Sequence, residues 1–433
     1  MISSLGSPKG ANVGLGRDRV KRTWIAIAIL VGTVVACAGP RQTRAAQGER
    51  LAPTVILISL DGFRWDYFGR TPTPNLDRLM ARGVRARWMV PVVPTVTFPN
   101  HYSMVTGLYP EHHGIVGNRM VDPADGARFL YSDSSSAWQT RWWGGEPLWN
   151  TATRQGRRSA AYFWPGSDVE IAGLRPTYWK KFDGRVPGGE RVAEVLRWLD
   201  LPDFQRPAFL TLYFSEVDHF GHENGPESPE TLRAVRTVDS LVGLLVSGLE
   251  ARGLSDMVNL IVVSDHGMAQ TSPERVVFLD DSFDPAAVDQ VSLGPFVSLR
   301  SRTAPAEPLA RALANAGPHV RFYRRAETPA RWHYRDNPRI TDVVGVAEDG
   351  WTFTTRDWYA RNRRRLQGGS HGYDNADPAM RAIFIAAGPA FQRGLVVEPF
   401  QNVHVYELIC AVLGLRPAPN DGSLDSVRVM LRR

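Results

Sequence analysis

Three apolar, β-branched runs constrain this chain more than any other feature. Thr54-Val55-Ile56-Leu57-Ile58-Ser59-Leu60, Ala208-Phe209-Leu210-Thr211-Leu212-Tyr213-Phe214 and Val258-Asn259-Leu260-Ile261-Val262-Val263-Ser264 are short and nearly continuous. Their length favours strands over helices, and their lack of alternation favours strands covered on both faces, as in a parallel sheet. Asp61 follows the first run, Asp218 lies just beyond the second, and Asp265 follows the third. Open α/β sheets bind ligands in the crevice beyond the carboxyl ends of their strands. One Asp there is an ordinary turn residue. Three of them, attended by His222 and His266, point to a site. Helical patterns at Pro74 to Arg82, Gly189 to Asp200 and Pro229 to Arg252 separate the runs, and Ala382 to Gly388 reads as another buried strand. Alternation of this kind predicts an α/β fold with a central, mainly parallel sheet covered by helices on both faces.

Between the first two runs, Pro94-Thr95-Val96-Thr97-Phe98-Pro99-Asn100-His101-Tyr102 places a hydroxyl in a special position. A helix starting at Pro99, whose missing N–H would be unsatisfied there anyway, stops at Gly107. Thr97 then lies just ahead of a helix N-terminus, where free N–H groups and the macrodipole favour a phosphate-like anion. Taken alone, Thr97 reads better as a cap. Asn118 returns towards the same rim, either as a neutral donor to a phosphoryl oxygen or as a turn residue. Asp218 and His222, four apart, share one face of a helical turn; they form either half of a cation site or a surface ion pair. Gly368-Gly369-Ser370-His371-Gly372 is a tight loop presenting His371.

Lys9, Arg17, Arg19, Lys21 and Arg22 precede an apolar stretch from Trp24 to Ala36, the pattern of an export leader spanning 1–36. An uncleaved anchor is the alternative. Val34-Val35-Ala36-Cys37 is similar to a bacterial lipobox, which would lipidate Cys37 and attach the mature chain to a membrane. Cleavage near Ala45-Ala46 would instead release a periplasmic or secreted protein. Removing the leader takes away five basic residues and one acid, so the formal charge of +7 falls to +3. So small a charge gives no basis for binding a nucleic-acid duplex, and Arg363-Arg364-Arg365 reads as a solvated face or loop. Cys410, in the apolar stretch Leu408 to Leu413, reads as core. With no disulfide framework, the fold must stand on its core, with or without metal.

The remaining chain divides into a polar linker (37–52), one catalytic domain (53–420) with insertions near 119–189 and 271–367, and a tail (421–433). In the first insertion, Trp142, Trp143 and Trp164 either wall a pocket or fill a small core. The second has strand-like runs at Val291–Leu299 and Arg339–Gly345 and a helix near Ala306–Ala316.

Asp61, Thr97, Asp218, His222, Asp265, His266 and His371 mix carboxylate with imidazole, which suits zinc or a similar first-row metal better than calcium or magnesium. Their segments resemble the nucleotide pyrophosphatase/phosphodiesterase family of the alkaline phosphatase superfamily, and the leader points to a bacterial member. The matching pieces are Ile58-Ser59-Leu60-Asp61-Gly62, Thr97-Phe98-Pro99-Asn100-His101-Tyr102, Thr106-Gly107-Leu108-Tyr109-Pro110, Asp218 with Gly221-His222, Ser264-Asp265-His266-Gly267-Met268 and His371-Gly372-Tyr373-Asp374. The resemblance implies an alkaline phosphatase-like core and two Zn2+ per subunit. Asp218, His222 and His371 would hold one zinc; Asp61, Asp265 and His266 would hold the other, completed by the Thr97 oxygen. It makes Thr97 the nucleophile, has Asn118 and the Phe98 N–H bind a phosphoryl oxygen, and has Phe98 and Tyr213 sandwich a nucleobase. The implied activity is cleavage of nucleotide phosphodiester or phosphoanhydride bonds to release a nucleoside 5′-monophosphate through a phospho-threonine.

Other readings separate on chemistry. A sulfatase needs a Cys or Ser ahead of an x-Pro-x-Arg motif, and Thr97-Phe98-Pro99-Asn100-His101 has neither. A choline-phospholipid or glycerophosphodiester phosphodiesterase would use the same metal site but a different pocket. A non-catalytic, metal-stabilised binding protein would have no reason to fill every catalytic position. Neutral Asn118 facing the phosphoryl group suits a singly charged diester better than a monoester dianion.

Overall fold

The computed structural model describes residues 53–432 apart from 303, 304 and 315, so the leader, Cys37 and nearly all of the linker lie outside the described residues. An eight-stranded sheet runs through the centre of the fold. In spatial order its strands are Leu395–Val397, Val84–Ala86, Phe384–Ala387, Val258–Val263, Thr54–Leu60, Phe209–Phe214, Ser159–Tyr162 and Tyr178–Lys180. Only Phe384–Ala387 runs against its neighbours. Thr54–Leu60 sits between its two parallel partners, with Ser59 level with both Tyr213 and Val263. This register brings the carboxyl ends of all three strands to one rim.

The continuous apolar composition of these strands follows from their position. Val55 and Leu57 point into one core, shared with Tyr102, Tyr406 and Cys410, whereas Ile56, Ile58 and Leu60 point into a second, shared with Leu76, Val235 and Val242. Side chains alternate across a strand, so a strand buried on both faces must be apolar at every position. Helix Pro229–Ala251 covers the second face. It begins with Pro at its first turn and with Ser228 Oγ accepting the Thr231 N–H at 3.1 Å. Helix His404–Leu413 covers the first face and buries Cys410, whose thiol is pushed by its surroundings up to about 12, too high for reactivity near neutral pH. Trp142, Trp143 and Trp164 also lie in the first core, so these rings fill a core.

Residues 271–367 contain a separate four-stranded antiparallel sheet, ordered Val288–Ser292, Phe296–Ser301, Val343–Ala347, Val320–Arg324. The expected single strand from Val291 to Leu299 is a hairpin. Gly294, at φ 123°, and Pro295 form its turn, a conformation that glycine adopts without strain and that proline closes to further pairing. No helix among the described residues is long and apolar enough to cross a membrane.

Candidate active site

The helix carrying Thr97 begins two residues earlier than expected, at Thr97–Thr106, with extended Val96 as its cap. Pro99 is therefore its third residue. The first four N–H groups of a helix have no partner within it, so proline is tolerated there as well as at the start. Buried Asn100 fixes the approach to the helix: its Oδ1 accepts the Val92 N–H at 2.8 Å, and its Nδ2 donates to the carbonyls of Val96 and Pro94 at 2.9 and 3.1 Å. His101, also buried, donates from Nδ1 to the Thr97 carbonyl at 2.9 Å and accepts the Ser59 hydroxyl at Nε2, 2.7 Å away. The nucleophile candidate is thus tied through one imidazole to the central strand. The helix ends at left-handed Gly107, whose N–H donates to the Ser103 carbonyl at 2.8 Å.

Around Thr97 the acidic strand ends and three histidines converge. A carbonyl can only accept, so the Nδ1 contacts of these histidines fix their tautomers. His266 donates to Gly267, His222 to Gly369 and His371 to Thr95, each at 2.9 Å. All three Nε2 lone pairs then face other acceptors. His371 Nε2 lies 3.1 Å from His222 Nε2 and 3.5 Å from Asp218 Oδ1, and His266 Nε2 lies 2.9 Å from Asp265 Oδ2 and 3.6 Å from Asp61 Oδ1. Asp61 Oδ1, Asp218 Oδ1 and Asp265 Oδ2 are buried and accept no hydrogen bond. Lone pairs turned on one another in a buried site call for cations between them. The donor set fits a divalent first-row metal.

The ligand atoms of Asp218, His222 and His371 lie within 4.8 Å of one another, as do those of Asp61, Asp218 and His266 and those of Asp61, His101 and Asp265. Asp61, Asp265 and His266 are therefore spread over two overlapping groups, with Asp218 reaching towards both halves. His101 has both nitrogens engaged and acts as a support for Asp265, 3.4 Å away.

Without cations the crowding splits the titrations of the cluster. Burial, reinforced by Asp265 and Asp218, pushes Asp61 well above the ordinary carboxylate range. Burial would depress His266, but Asp265 beside it overrides this and raises it, whereas His371, buried between His266 and His222, is held well below the usual imidazole range. A carboxyl raised in the fold contributes stability below its unfolded value of about 3.9, and that contribution is lost as pH rises through the folded value. The metal-free Asp61→Asn variant should accordingly melt above the metal-free parent at pH 8, with the gap closing near pH 4. Thermal melts at both values check this, and a gap independent of pH would contradict it.

Phe98 and Asn118 meet directly: the Phe98 N–H donates to Asn118 Oδ1 at 2.9 Å. That bond consumes the N–H expected to face a phosphoryl oxygen, and it leaves the Asn118 amide Nδ2 as the donor on the open side. Tyr213 is placed differently from the expectation. It is 8% exposed, and its hydroxyl donates to Asp61 Oδ2 at 2.5 Å. Burial and the adjacent Asp61 keep that hydroxyl protonated, so Tyr213 orients a metal ligand and offers no open face for stacking. Tyr213→Phe should lower metal affinity or turnover roughly 10–100-fold with little change in substrate KM; a pure KM effect would restore the stacking role. Nearby, Phe98 is half-buried and edge-on to exposed Tyr131 at 5.7 Å, and Phe182, 54% exposed, lies 6.1 Å from the Tyr213 ring. A cavity of about 1000 Å³ is lined in part by Asn118, Tyr131, His222 and His371.

All seven proposed ligand and nucleophile positions come together at this rim. Ser59, Asn100 and His101 carry no sequence signal beyond their place in the motif, and Phe182 and Tyr131 carry none. His113 is elsewhere: burial pushes it down to about 3, and it is bonded to Ser103 at 2.9 Å as a neutral structural group.

A mostly parallel sheet, a helix-initial hydroxyl and a crowded carboxylate–imidazole cluster at the strand ends define an α/β protein with a candidate metal site at its strand-end rim. The sequence profile of type I phosphodiesterases and nucleotide pyrophosphatases matches residues 55–374, and the chain belongs to that family. It is 40% identical over 411 residues to ectonucleotide pyrophosphatase/phosphodiesterase family member 3 of Rattus norvegicus, covering 92% of this chain and 46% of the rat protein. It is 41% identical over 407 residues to a venom phosphodiesterase of Crotalus durissus collilineatus, covering 92% and 48%. The chain thus spans about half the length of these relatives. Among solved structures, murine ectonucleotide pyrophosphatase/phosphodiesterase 5, in an inactive threonine-to-alanine form in complex with AMP, superposes with a TM-score of 0.83 at 36% identity, covering 88% of this chain and all of that one.

Proposed function

We propose that this chain is an exported phosphodiesterase and pyrophosphatase that cleaves nucleotide phosphodiester or phosphoanhydride bonds and releases a nucleoside 5′-monophosphate through a covalent intermediate on Thr97. The observation that carries this reading is the set of three Nε2 lone pairs and three unbonded carboxylate oxygens beside the Thr97 hydroxyl, whose Oγ1 is 3.5 Å from His266 Nε2. Asp218, His222 and His371 would hold one Zn2+, and Asp61, Asp265 and His266, with Thr97, the other. When bound, such a pair supplies activation of a hydroxyl nucleophile and stabilisation of the departing oxygen.

The chain's own residues do the rest. Helix Thr97–Thr106 presents its positive end to the phosphoryl group, and Asn118 Nδ2 donates to a non-bridging oxygen. Thr97 Oγ1 bonds to phosphorus as the bond to the leaving oxygen breaks on the opposite side. Water then releases the nucleoside monophosphate and restores the Thr97 hydroxyl. Because Asn118 is neutral, the site favours a phosphoryl group with one negative charge, as in a diester. Phe98 provides one stacking face for a base, and with Tyr213 engaged by Asp61 the second passes to Phe182, since base stacking tolerates any aromatic face.

The murine neighbour's AMP and its inactivating threonine-to-alanine change support the substrate class and the nucleophile. Bacterial origin, export and attachment through Cys37 rest on the leader, and the domain limits 53–420 with two insertions belong to the same reading. The test is hydrolysis by the zinc-loaded protein of a nucleoside triphosphate, a dinucleotide, a phosphomonoester and glycerophosphocholine. Nucleotide cleavage with a nearly inert monoester is the expected outcome. Preference for glycerophosphocholine would move the substrate to a lipid-derived diester, and a dominant monoesterase would refute the role given to Asn118.

A further inference from the structure

We propose that the end of the sheet opposite the active site is a docking face for an anionic lipid bilayer, held by Arg157, Arg158, Arg206 and Arg393 with Phe204 entering the interface. The reading of the chain as exported supplies the setting. A cavity of about 250 Å³ lies at this end, where Thr54 and Val258 begin two central strands and Ala208 precedes a third. At a rise of about 3.3 Å per residue, the seven residues of Thr54–Leu60 place it roughly 20 Å from the catalytic rim. Its charged lining is Arg157, Arg158 and Arg206 against Asp203. Arg206 Nη1 lies 3.2 Å from Asp203 Oδ1, but its buried Nε has no hydrogen-bond partner among the described residues. A buried donor of this kind calls for an acceptor. Arg157 donates to the carbonyls of Pro53 and Leu413 at 3.1 and 3.5 Å, which leaves its charge uncompensated. Arg158 is exposed and makes no side-chain hydrogen bond or ion pair among the described residues.

A second cavity, of about 310 Å³, shares Val258 with the first and carries Arg82, Arg393 and Arg432 against Asp256. Arg82 is 3.6 Å from Glu250, whereas Arg393 is exposed and has no side-chain partner among the described residues. The small net charge of the mature chain thus conceals a cluster of one sign. Planar guanidinium groups are shaped for phosphate oxygens, and lipid headgroups offer many of them on one surface. Two observations select a bilayer over a polyanion such as a nucleic-acid duplex. Phe204 is 70% exposed on the wall of the first cavity, with apolar Leu199, Pro207 and Met257 lining the same cavity. An aromatic ring among arginines suits the headgroup boundary, where the ring enters the apolar side and the cations stay with the phosphates. The linker read at 37–52 also enters the fold here, since Pro53, next in the chain, accepts from Arg157. A bilayer docked on this face leaves the rim that carries Thr97 turned away from it, open to soluble nucleotides.

The test uses the chain from Gln47 onwards, the form left by cleavage after Ala46, which has neither the leader nor Cys37. Leu51–Arg433 is one compact unit, so this form keeps the fold. Cosedimentation with vesicles of phosphatidylglycerol and phosphatidylethanolamine should show binding at low salt that fades at high salt, with little binding to phosphatidylcholine vesicles. R158E/R393E should weaken vesicle binding at least about tenfold, since one basic residue near an anionic surface contributes a factor of about five. F204S should weaken it less steeply and at every salt concentration. All three positions are exposed, so the melting temperature and nucleotide turnover of these variants should match the parent. R311E/R321E makes the same change of net charge at two exposed arginines of the 271–367 insertion and should bind vesicles like the parent. No binding to the anionic vesicles, or an equal loss in R158E/R393E and R311E/R321E, would overturn the docking face. Calorimetric binding of inorganic phosphate without vesicle binding would assign the cavity to a free anion, and binding of duplex DNA alone would assign the cluster to nucleic acid; either would overturn it as well. Vesicle binding by a chain that cleaves no nucleotide would instead refute the proposed function and leave the docking face standing.

Discussion

Thr97→Ala is expected to reduce diester turnover by roughly 10⁴-fold or more, because it removes the atom that bonds to phosphorus. The fold should be indifferent to the change. The Thr97 hydroxyl makes its polar contact with His266 at 3.5 Å, whereas the helix start is held by Asn100 and His101 through backbone carbonyls. The variant should therefore melt near the parent temperature and keep its metals. Thr97→Ser preserves the hydroxyl at the same helix position and should retain substantial turnover. Initial rates with matched thermal melts check this. Strong residual activity in zinc-loaded Thr97→Ala would remove Thr97 as nucleophile, whatever the metals do.

Metal removal should have the second large effect. Chelation leaves Asp61, Asp218 and Asp265 facing three imidazole lone pairs with nothing between them. Turnover should fall to background. A ligand present at a thousand times its dissociation constant stabilises the folded state by about 4 kcal/mol, so the melting temperature should drop by roughly 5 °C or more and recover when Zn2+ is returned. His371→Ala makes the argument site-specific. Its ring joins His222 and Asp218 on one side and stacks on His266 on the other. Metal analysis should find about one equivalent lost, with the second retained. A chelated protein with full activity and an unchanged melt would contradict the metal reading of the cluster.

The rim of this sheet was legible because strand burial and chemistry leave separate marks. A strand covered on both faces has no room for polar residues, so Asp61 and Asp265 stand out where Thr54–Leu60 and Val258–Val263 end. His222 was tied to Asp218 by helical spacing, and helix Glu216–Asn224 holds both. Short strands such as Val84–Ala86 and Leu395–Val397 give no such contrast, being three residues each. Supporting contacts were beyond reach for a different reason. The Tyr213 bond to Asp61 spans 152 residues of chain and that of His101 to Ser59 spans 42, and no local pattern records which side chains a sheet brings together. The resemblance implies a stacking role for Tyr213 because aromatic character is visible in a sequence and a hydroxyl's partner is not. Position in the fold was equally hidden for Phe182 and for Arg157, Arg158 and Arg206, which lie in aromatic or charged stretches that also suit plain surface.

The most direct test of the central claim is to trap the intermediate. Zinc-loaded protein mixed with ATP, quenched in acid within milliseconds to seconds and digested, would be analysed by peptide mass spectrometry. The account predicts a nucleoside monophosphoryl group on Thr97, absent from Thr97→Ala. Turnover to AMP with the adduct on another residue would contradict it.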